Sequence, residues 1–400
     1  MNNDYNITEA FNRIEDKLLN SMKRNLSRHL QEERDLEMNW SAWQAEQLKS
    51  LNKYRKENSS LFLDEFNQIN DTLEELIRRS NQTGRLEQEK IILNSIKKGN
   101  FKSQDKEINK LYQNYKKSKN KRIKKKYLQR LYDKVSSTES TFFKINERKL
   151  NALIKETKNN FRKAEASILR YTNDKYRKII FDAQVYASTG SATPQQAVDM
   201  ATRDFLSSGI NSIEYTNGAM VNIASYISMA LRTAQTRARL YGEGSKRDEW
   251  GVHTVLVPNR GIGCPKCVAH QGKIYIDDVY SNGTTEESKS TGYPLLSYAM
   301  KQGLLHPNCK DGVETYFSGI NSETRPPTQA EIEYKKAKYA KEQKLNYINN
   351  NIEKYKRLEN GSFDKDNIEK YHQKVLDWKR YKRKFINDNS ATFNDVNKVS

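Results

Sequence analysis

Phe62-Leu63-Asp64-Glu65-Phe66-Asn67-Gln68-Ile69-Asn70-Asp71-Thr72-Leu73-Glu74-Glu75-Leu76 places apolar residues at 62, 66, 69, 73 and 76, in steps of four and three. That spacing lines one seam of a helix. The repeat is short, so a helical hairpin or a docking helix is expected rather than a long autonomous coiled coil. Working outward, none of the seven prolines precedes Pro194, and glycine is sparse in the same half. Without breakers the first half should form long helices. One is expected from Leu36 to about Arg79, and a second after Gly84, through Ile91, Ile92 and Ile96, to the Gly99-Asn100 break. Trp40 and Trp43 stand three apart and share a helix face. They are candidates either for docking a partner or for packing inside the protein.

The chain has 400 residues, with 70 lysines and arginines against 50 acidic residues, a formal charge of +20, and only 36% hydrophobic residues. Such charge favours polyanions, nucleic acid first among them. The low apolar fraction suits elongated helices better than one large core. No signal peptide or long apolar segment is evident, so no membrane segment is expected and the compartment should be reducing. The densest basic run lies between Tyr115 and Tyr127 and contributes Lys116, Lys117, Lys119, Lys121, Arg122, Lys124, Lys125 and Lys126 as candidate nucleic-acid-binding residues. Cations flanked by aromatic rings can track a phosphate backbone. A solvated helix or a loop between helices explains the same run. No Gly-rich phosphate loop accompanies it.

From about Ser140 to Tyr241 the pattern is that of a compact helical domain. Thr193-Pro194-Gln195-Gln196 reads as a capping box with proline at the first helical position, and Gly209 as the stop of that helix. A further helix, roughly Ala219 to Tyr241, should bury Ala224, Ile227, Leu231, Ala234 and Ala238 and end at Gly242. Thr254-Val255-Leu256-Val257 and Lys273-Ile274-Tyr275-Ile276 then read as short strands. The hairpin between them carries Cys264-Pro265-Lys266-Cys267, and after a polar loop expected to be mobile comes His306-Pro307-Asn308-Cys309.

Cys264, Cys267, His306 and Cys309 offer four soft ligands in two knuckles, the donor set of a structural zinc site. Three cysteines cannot all pair, which argues against a disulfide framework. Unliganded thiols in a tight loop remain an alternative. So do catalytic thiols, with His306 as base and Asn308 as orienting amide, although a four-ligand zinc site has no vacancy for chemistry. His270 is a reserve ligand. Pro326-Pro327 breaks the chain after the small sheet. Tyr347, Ile348, Ile352 and Tyr355, then Ile368, Tyr371, Val375, Trp378 and Phe385, mark two helices turning at Asn360-Gly361-Ser362.

The expected fold class is therefore mainly α with a small α+β domain. Residues 1–135 should be an elongated basic helical region and 136–245 a central helical domain. Residues 246–322 should be a small β-hairpin zinc-knuckle region, and 323–400 a separate C-terminal helical hairpin.

Several strings, in order, resemble a known family. They are Trp40-Ser41-Ala42-Trp43-Gln44, Phe142-Phe143-Lys144-Ile145-Asn146, Tyr176-Arg177-Lys178-Ile179-Ile180-Phe181, Met229-Ala230-Leu231-Arg232-Thr233-Ala234, and Cys264-Pro265-Lys266-Cys267. Gln271-Gly272-Lys273, Tyr293-Pro294-Leu295-Leu296, Gly303-Leu304-Leu305-His306-Pro307-Asn308-Cys309 and the C-terminal Trp378 to Phe385 continue the series. Together the chain resembles the minor capsid proteins of tailed phages of Gram-positive bacteria, within the Mu-like head morphogenesis class. The resemblance implies a non-enzymatic structural protein of the virion head, made in the host cytoplasm and incorporated in low copy near the portal. Its implied partners are the portal and/or the major capsid protein, with packaged double-stranded DNA retained or delivered. His270 stands where many relatives carry an aromatic, which leaves Cys264, Cys267, His306 and Cys309 as the better ligand set. The other reading of the same residues is a sequence-independent nucleic-acid-binding protein with a structural zinc knuckle.

Overall fold

The computed structural model describes residues 6–34, 40–188, 193–210, 213–214, 220–259, 263–307, 309–321 and 325–390. It is mainly helical with a small α+β region. Helices α1 (Ile7–Arg34), α2 (Trp40–Lys98), α3 (Lys106–Lys117), α4 (Lys121–Ser188) and α5 (Pro194–Ser208) are followed by the pair β1 (Ile213–Glu214) and β2 (Met220–Val221). Then come α6 (Ile223–Trp250), β3 (Thr254–Leu256), β4 (Ile274–Ile276), α7 (Thr285–Thr291), α8 (Leu296–Lys301), β5 (Glu314–Thr315), α9 (Gln329–Gly361) and α10 (Lys365–Asp388). No helix among the described residues is long and apolar enough to cross a membrane.

The described residues divide into two compact units. The first draws on Met1–Leu73, Lys158–Ser228 and Lys341–Ser400, the second on Glu74–Thr157 and Met229–Ala340. This division cuts the chain differently from four consecutive segments, because α2, α4, α6 and α9 each begin in one unit and end in the other.

In the first unit the seam of α2 is buried at Phe62, Phe66, Ile69 and Leu73. It meets α1, which buries Phe11, Ile14, Leu18, Met22 and Leu26, and α4, which buries Phe161, Ala164, Ile168 and Tyr176. Phe11 packs edge-on against Phe161 with centroids 6.0 Å apart, and Tyr54 stacks on Tyr176 at 4.3 Å. The expected capping box of α5 is present: Gln196 N donates to Thr193 Oγ1 and Thr193 N to Gln196 Oε1, both at 3.2 Å. Gly209, at φ +69°, closes the same helix.

Helices α9 and α10 form the expected antiparallel hairpin, with Tyr347 on Trp378 and Tyr355 on Tyr371. The hairpin is not a separate extension. Asp199 of α5 accepts hydrogen bonds from Phe363 N, Asp364 N and Asn367 Nδ2, and Lys23 of α1 donates to the Asn360 and Ser362 carbonyls. Gly361 lies so close to Leu206 that a Cβ there would stand 2.5 Å from its Cδ2. Polar residues do this docking, and an apolar-period reading does not register them.

The second unit holds the main departures from expectation. Neither Gly84 nor Gly242 ends a helix: α2 continues to Lys98 and α6 to Trp250. A Cβ on Gly84 would stand 2.3 Å from the Arg239 carbonyl oxygen, and one on Gly242 would stand 2.1 Å from that of Asn81. The two glycines let α2 and α6 cross backbone on backbone, and Asn81 Nδ2 donates to the Ala238 carbonyl across the gap. Beyond the crossing, Glu243, Ser245, Lys246, Arg247, Asp248 and Glu249 of α6 are all buried, which is why no apolar seam is visible there. Trp250 then enters a core with Phe101, Tyr112 and Phe317.

The small sheet has the order β4-β3-β5, all antiparallel, with Val255 paired to both Tyr275 and Thr315. The segment expected to be a mobile loop instead folds into α7 and α8. Thr284 and Glu287 form a capping box, Gly292 closes α7 in the left-handed region, and Leu296 and Ala299 of α8 are fully buried.

The crossing yields a sharp prediction. Gly84→Ala and Gly242→Ala should each destabilise the protein by about 1–3 kcal/mol, since the backbones must separate to admit the methyl group. Gly312→Ala, where an added Cβ meets nothing within 4 Å, should change stability by less than about 0.5 kcal/mol. Denaturant unfolding of the three variants makes the comparison.

Candidate metal centre

The β3–β4 hairpin carries the first knuckle. Cys267 N and Val268 N both donate to the Cys264 carbonyl, at 3.1 and 3.0 Å, and this turn aims the two sulfurs to the same side. The second knuckle lies between α8 and β5, where Cys309 N donates to the His306 carbonyl at 2.9 Å. The chain reaches it through Gly303 (φ +104°) and Leu305 (φ +55°). A leucine in the left-handed region is strained, and here the strain immediately precedes His306. Such residues cluster where a site over-determines the backbone.

The knuckles meet. His306 Nε2 lies 3.2 Å from Cys264 Sγ, and Cys309 Sγ lies 3.3 Å from Cys267 Sγ. Two overlapping groups have ligand atoms within 4.8 Å of one another: Cys264, Cys267 and His306, and Cys267, Cys309 and Asp311. These five residues lie close together and can bind a metal. In a tetrahedral zinc site, sulfurs stand about 3.8 Å apart around a metal about 2.3 Å from each, so the observed separations need only a small outward shift. His306 Nδ1 is 2.8 Å from the Pro307 carbonyl, which can only accept, so Nδ1 donates there and Nε2 is the nitrogen that faces the sulfurs. Fixing the tautomer of a histidine through its other nitrogen is what a metal ligand requires.

Cys267 is fully buried within a core that includes Val255, Val257, Tyr275 and Leu296. The hydrogen bond with Cys309, followed by burial, pushes the Cys267 thiol up. The same hydrogen bond pulls Cys309 down to about 7.

Asp311 did not stand out from the spacing of the cysteines, although it follows Cys309 by two residues. It is buried and accepts from Gln271 Nε2 at 3.0 Å, while Gln271 Oε1 accepts from Lys335 of α9 at 2.7 Å. This chain braces the second knuckle from outside. The reserve ligand His270 belongs to neither group; its Nδ1 lies 2.9 Å from the Tyr275 hydroxyl. Asn308 lies outside the described residues.

The sheet beneath the knuckles is held to α6 by charge. Arg247 and Asp277 are fully buried and 2.7 Å apart. Asp277 also accepts from Val279 N and Tyr280 N, and although burial opposes ionisation, Arg247 and these bonds hold its carboxyl below the usual range. Arg247 Nη1 reaches Thr315 of β5, whose hydroxyl donates to Gln88 of α2.

The basic run is split by the short connection between α3 and α4. Lys116 and Lys117 end α3, Lys119 lies in the connection, and Lys121, Arg122, Lys124, Lys125 and Lys126 open α4, where Asn120 accepts from Arg122 N. All are exposed except the half-buried Lys124, whose ammonium lies 5.4 Å from the Tyr115 ring centroid; Lys116 also donates to the Gly99 carbonyl. The cations are thus gathered at one turn, away from the cysteines in sequence. Trp40 and Trp43 fall in the first turn of α2, and their side chains lie outside the described residues.

Residues 77–387 match the model of a family described as Phage minor capsid protein 2. No curated protein and no solved structure matches the chain.

His253, directly before β3, provides a test of how the sheet is anchored. It lies 2.9 Å from Glu287 of α7 and 3.4 Å from Asp248 of α6. Burial alone would lower its pKa, but the hydrogen bonds to the two carboxylates raise it above 6.5. A raised folded value means that its stabilisation is full below about pH 6.5 and is lost as pH rises through the folded value. Thermal unfolding should therefore show stability declining above pH 6.5, and His253→Gln should flatten that decline.

Proposed function

The chain belongs to the Phage minor capsid protein 2 family, and from that premise we propose that it is a structural protein of the phage head, incorporated in low copy near the portal. The family match across 77–387 carries this reading. Synthesis in the host cytoplasm precedes incorporation during head assembly, and the partners are other virion proteins, the portal and/or the major capsid protein. The protein works by holding shape and surface; its thiols serve architecture and no catalytic step is assigned to them.

In this reading Cys264, Cys267, His306 and Cys309 hold a structural zinc ion. The support is the soft donor set, the two facing knuckles and the His306 tautomer. Zinc there would crosslink the β3–β4 hairpin to the segment before β5. Asp311 stays with Gln271 as a brace. A second role, sequence-independent contact with packaged double-stranded DNA, is favoured by the exposed cations of the α3–α4 turn. It would help to retain or deliver the genome.

Quantitative mass spectrometry of purified particles tests the main reading, with the major capsid protein as internal standard. A small fixed number of copies per particle is expected. Absence from mature particles despite abundance in infected cells would replace it with an assembly factor that leaves before completion. For the metal, one zinc per chain is expected, and Cys267→Ser should lose it and lower Tm by roughly 6–12 °C, the shift for a loss of about 3 kcal/mol. Equal Tm with no metal in either protein would remove zinc from the account.

A further inference from the structure

We propose that the outer face of α10, formed by Lys379, Arg380, Arg383 and Lys384, binds the phosphate backbone of duplex DNA without regard to sequence; this rests on the reading of the chain as a virion protein that meets packaged DNA. Residues 379–384 read Lys-Arg-Tyr-Lys-Arg-Lys. Val375 is buried, and Trp378, Lys382, Phe385 and Ile386 are half-buried on the side that follows it. Lys379, Arg380, Arg383 and Lys384 lie on the exposed side, with Leu376 among them.

The described residues offer little to balance this concentration. Among the described residues, the one acidic partner of these four is Asp377, 3.8 Å from an Arg380 side chain that is 77% exposed. Like charges three and four residues apart, as in 379/383, 380/383 and 380/384, weaken a helix. The helix dipole does not compensate, since it acts within the last turn, and the last turn of α10 has no basic residue. An external polyanion removes the repulsion and releases its own counterions.

The aromatic residues of the hairpin narrow the choice of polyanion. Tyr347 packs edge-on against Trp378 at 5.9 Å, Trp378 against Tyr381 at 5.8 Å, and Tyr381 against Phe385 at 6.4 Å. Trp378 pins α10 to Tyr347 of α9, and Tyr381, although 42% exposed, has its ring held edge-on against Trp378 and tilted against Phe385. They are not laid out as platforms for unstacked bases, which single-strand binding would require. A membrane-seeking helix would turn its apolar face outward beneath its cations, whereas that of α10 is turned to α9.

The test is fluorescence anisotropy of the full chain with a labelled duplex oligonucleotide across a salt series. The variant carries Lys379→Gln, Arg380→Gln, Arg383→Gln and Lys384→Gln, with helicity checked by circular dichroism. A comparison variant carries Lys124→Gln, Lys125→Gln and Lys126→Gln. Loss of the four α10 cations should reduce the slope of log affinity against log salt by about 3 to 4, at about 0.9 per phosphate contact, and weaken binding more than about tenfold. An unchanged slope overturns the proposal. If only the comparison variant loses binding, DNA contact stands and the α10 surface falls. If the parent does not bind duplex, both DNA roles fall and the head-protein reading is untouched. Preference for a single strand, or binding to phosphatidylglycerol vesicles that depends on the same four cations, also overturns it.

Discussion

The pairing of Arg247 with Asp277 is the interaction on which the second unit turns. Each side chain is wholly buried, and leaving one without the other would cost about 3–5 kcal/mol. Through Arg247 the pair joins α6 to the turn after β4, to Thr315 of β5, and by way of Thr315 to Gln88 of α2. The strands have only two or three residues each, too few to hold a sheet by ladder hydrogen bonds alone. Their position comes from the helix beneath, and the cysteine knuckles inherit it.

What was legible in the sequence followed from apolar spacing and local caps. Phe62, Phe66, Ile69 and Leu73 are buried as their steps predict, and the capping box at Thr193 forms. Ile227, Ala234 and Ala238 are buried in α6, while Leu231 is half-buried and the Ala224 side chain lies outside the described residues. The reading fails after Gly242. Glycine there is a packing device: its missing Cβ admits another helix. Its usual meaning as a helix stop does not hold there, since α6 runs on to Trp250. Beyond it, the face of α6 is occupied by paired charges, and a periodicity argument that equates burial with apolar residues cannot register them. The β5 strand was equally invisible, being two residues long and defined by its partner Val255.

The candidate metal centre shows the same division. The two Cys/His pairs that the fold brings together are visible in two short spacings, because a knuckle is a local turn. What braces them lies far along the chain: Lys335 supports Gln271, which supports Asp311. Neither spacing nor composition could associate these three residues. The strained Leu305 was hidden for a different reason, since leucine carries no mark of a left-handed conformation. The resemblance to minor capsid proteins agrees with the family match over residues 77–387.

The interleaving of the two units bears on how the chain must emerge from the ribosome. Domains commonly fold in order of synthesis, the N-terminal one first. Here the first unit begins before residue 73 and still requires segments after residue 341, while the second lies between those ends and reaches to residue 340. The nascent chain therefore completes its middle before its beginning. Until α9 and α10 have been made, Lys23 of α1 and Asp199 of α5 lack the backbone groups of the hairpin that they bind, so the first unit can close only once α10 has left the ribosome.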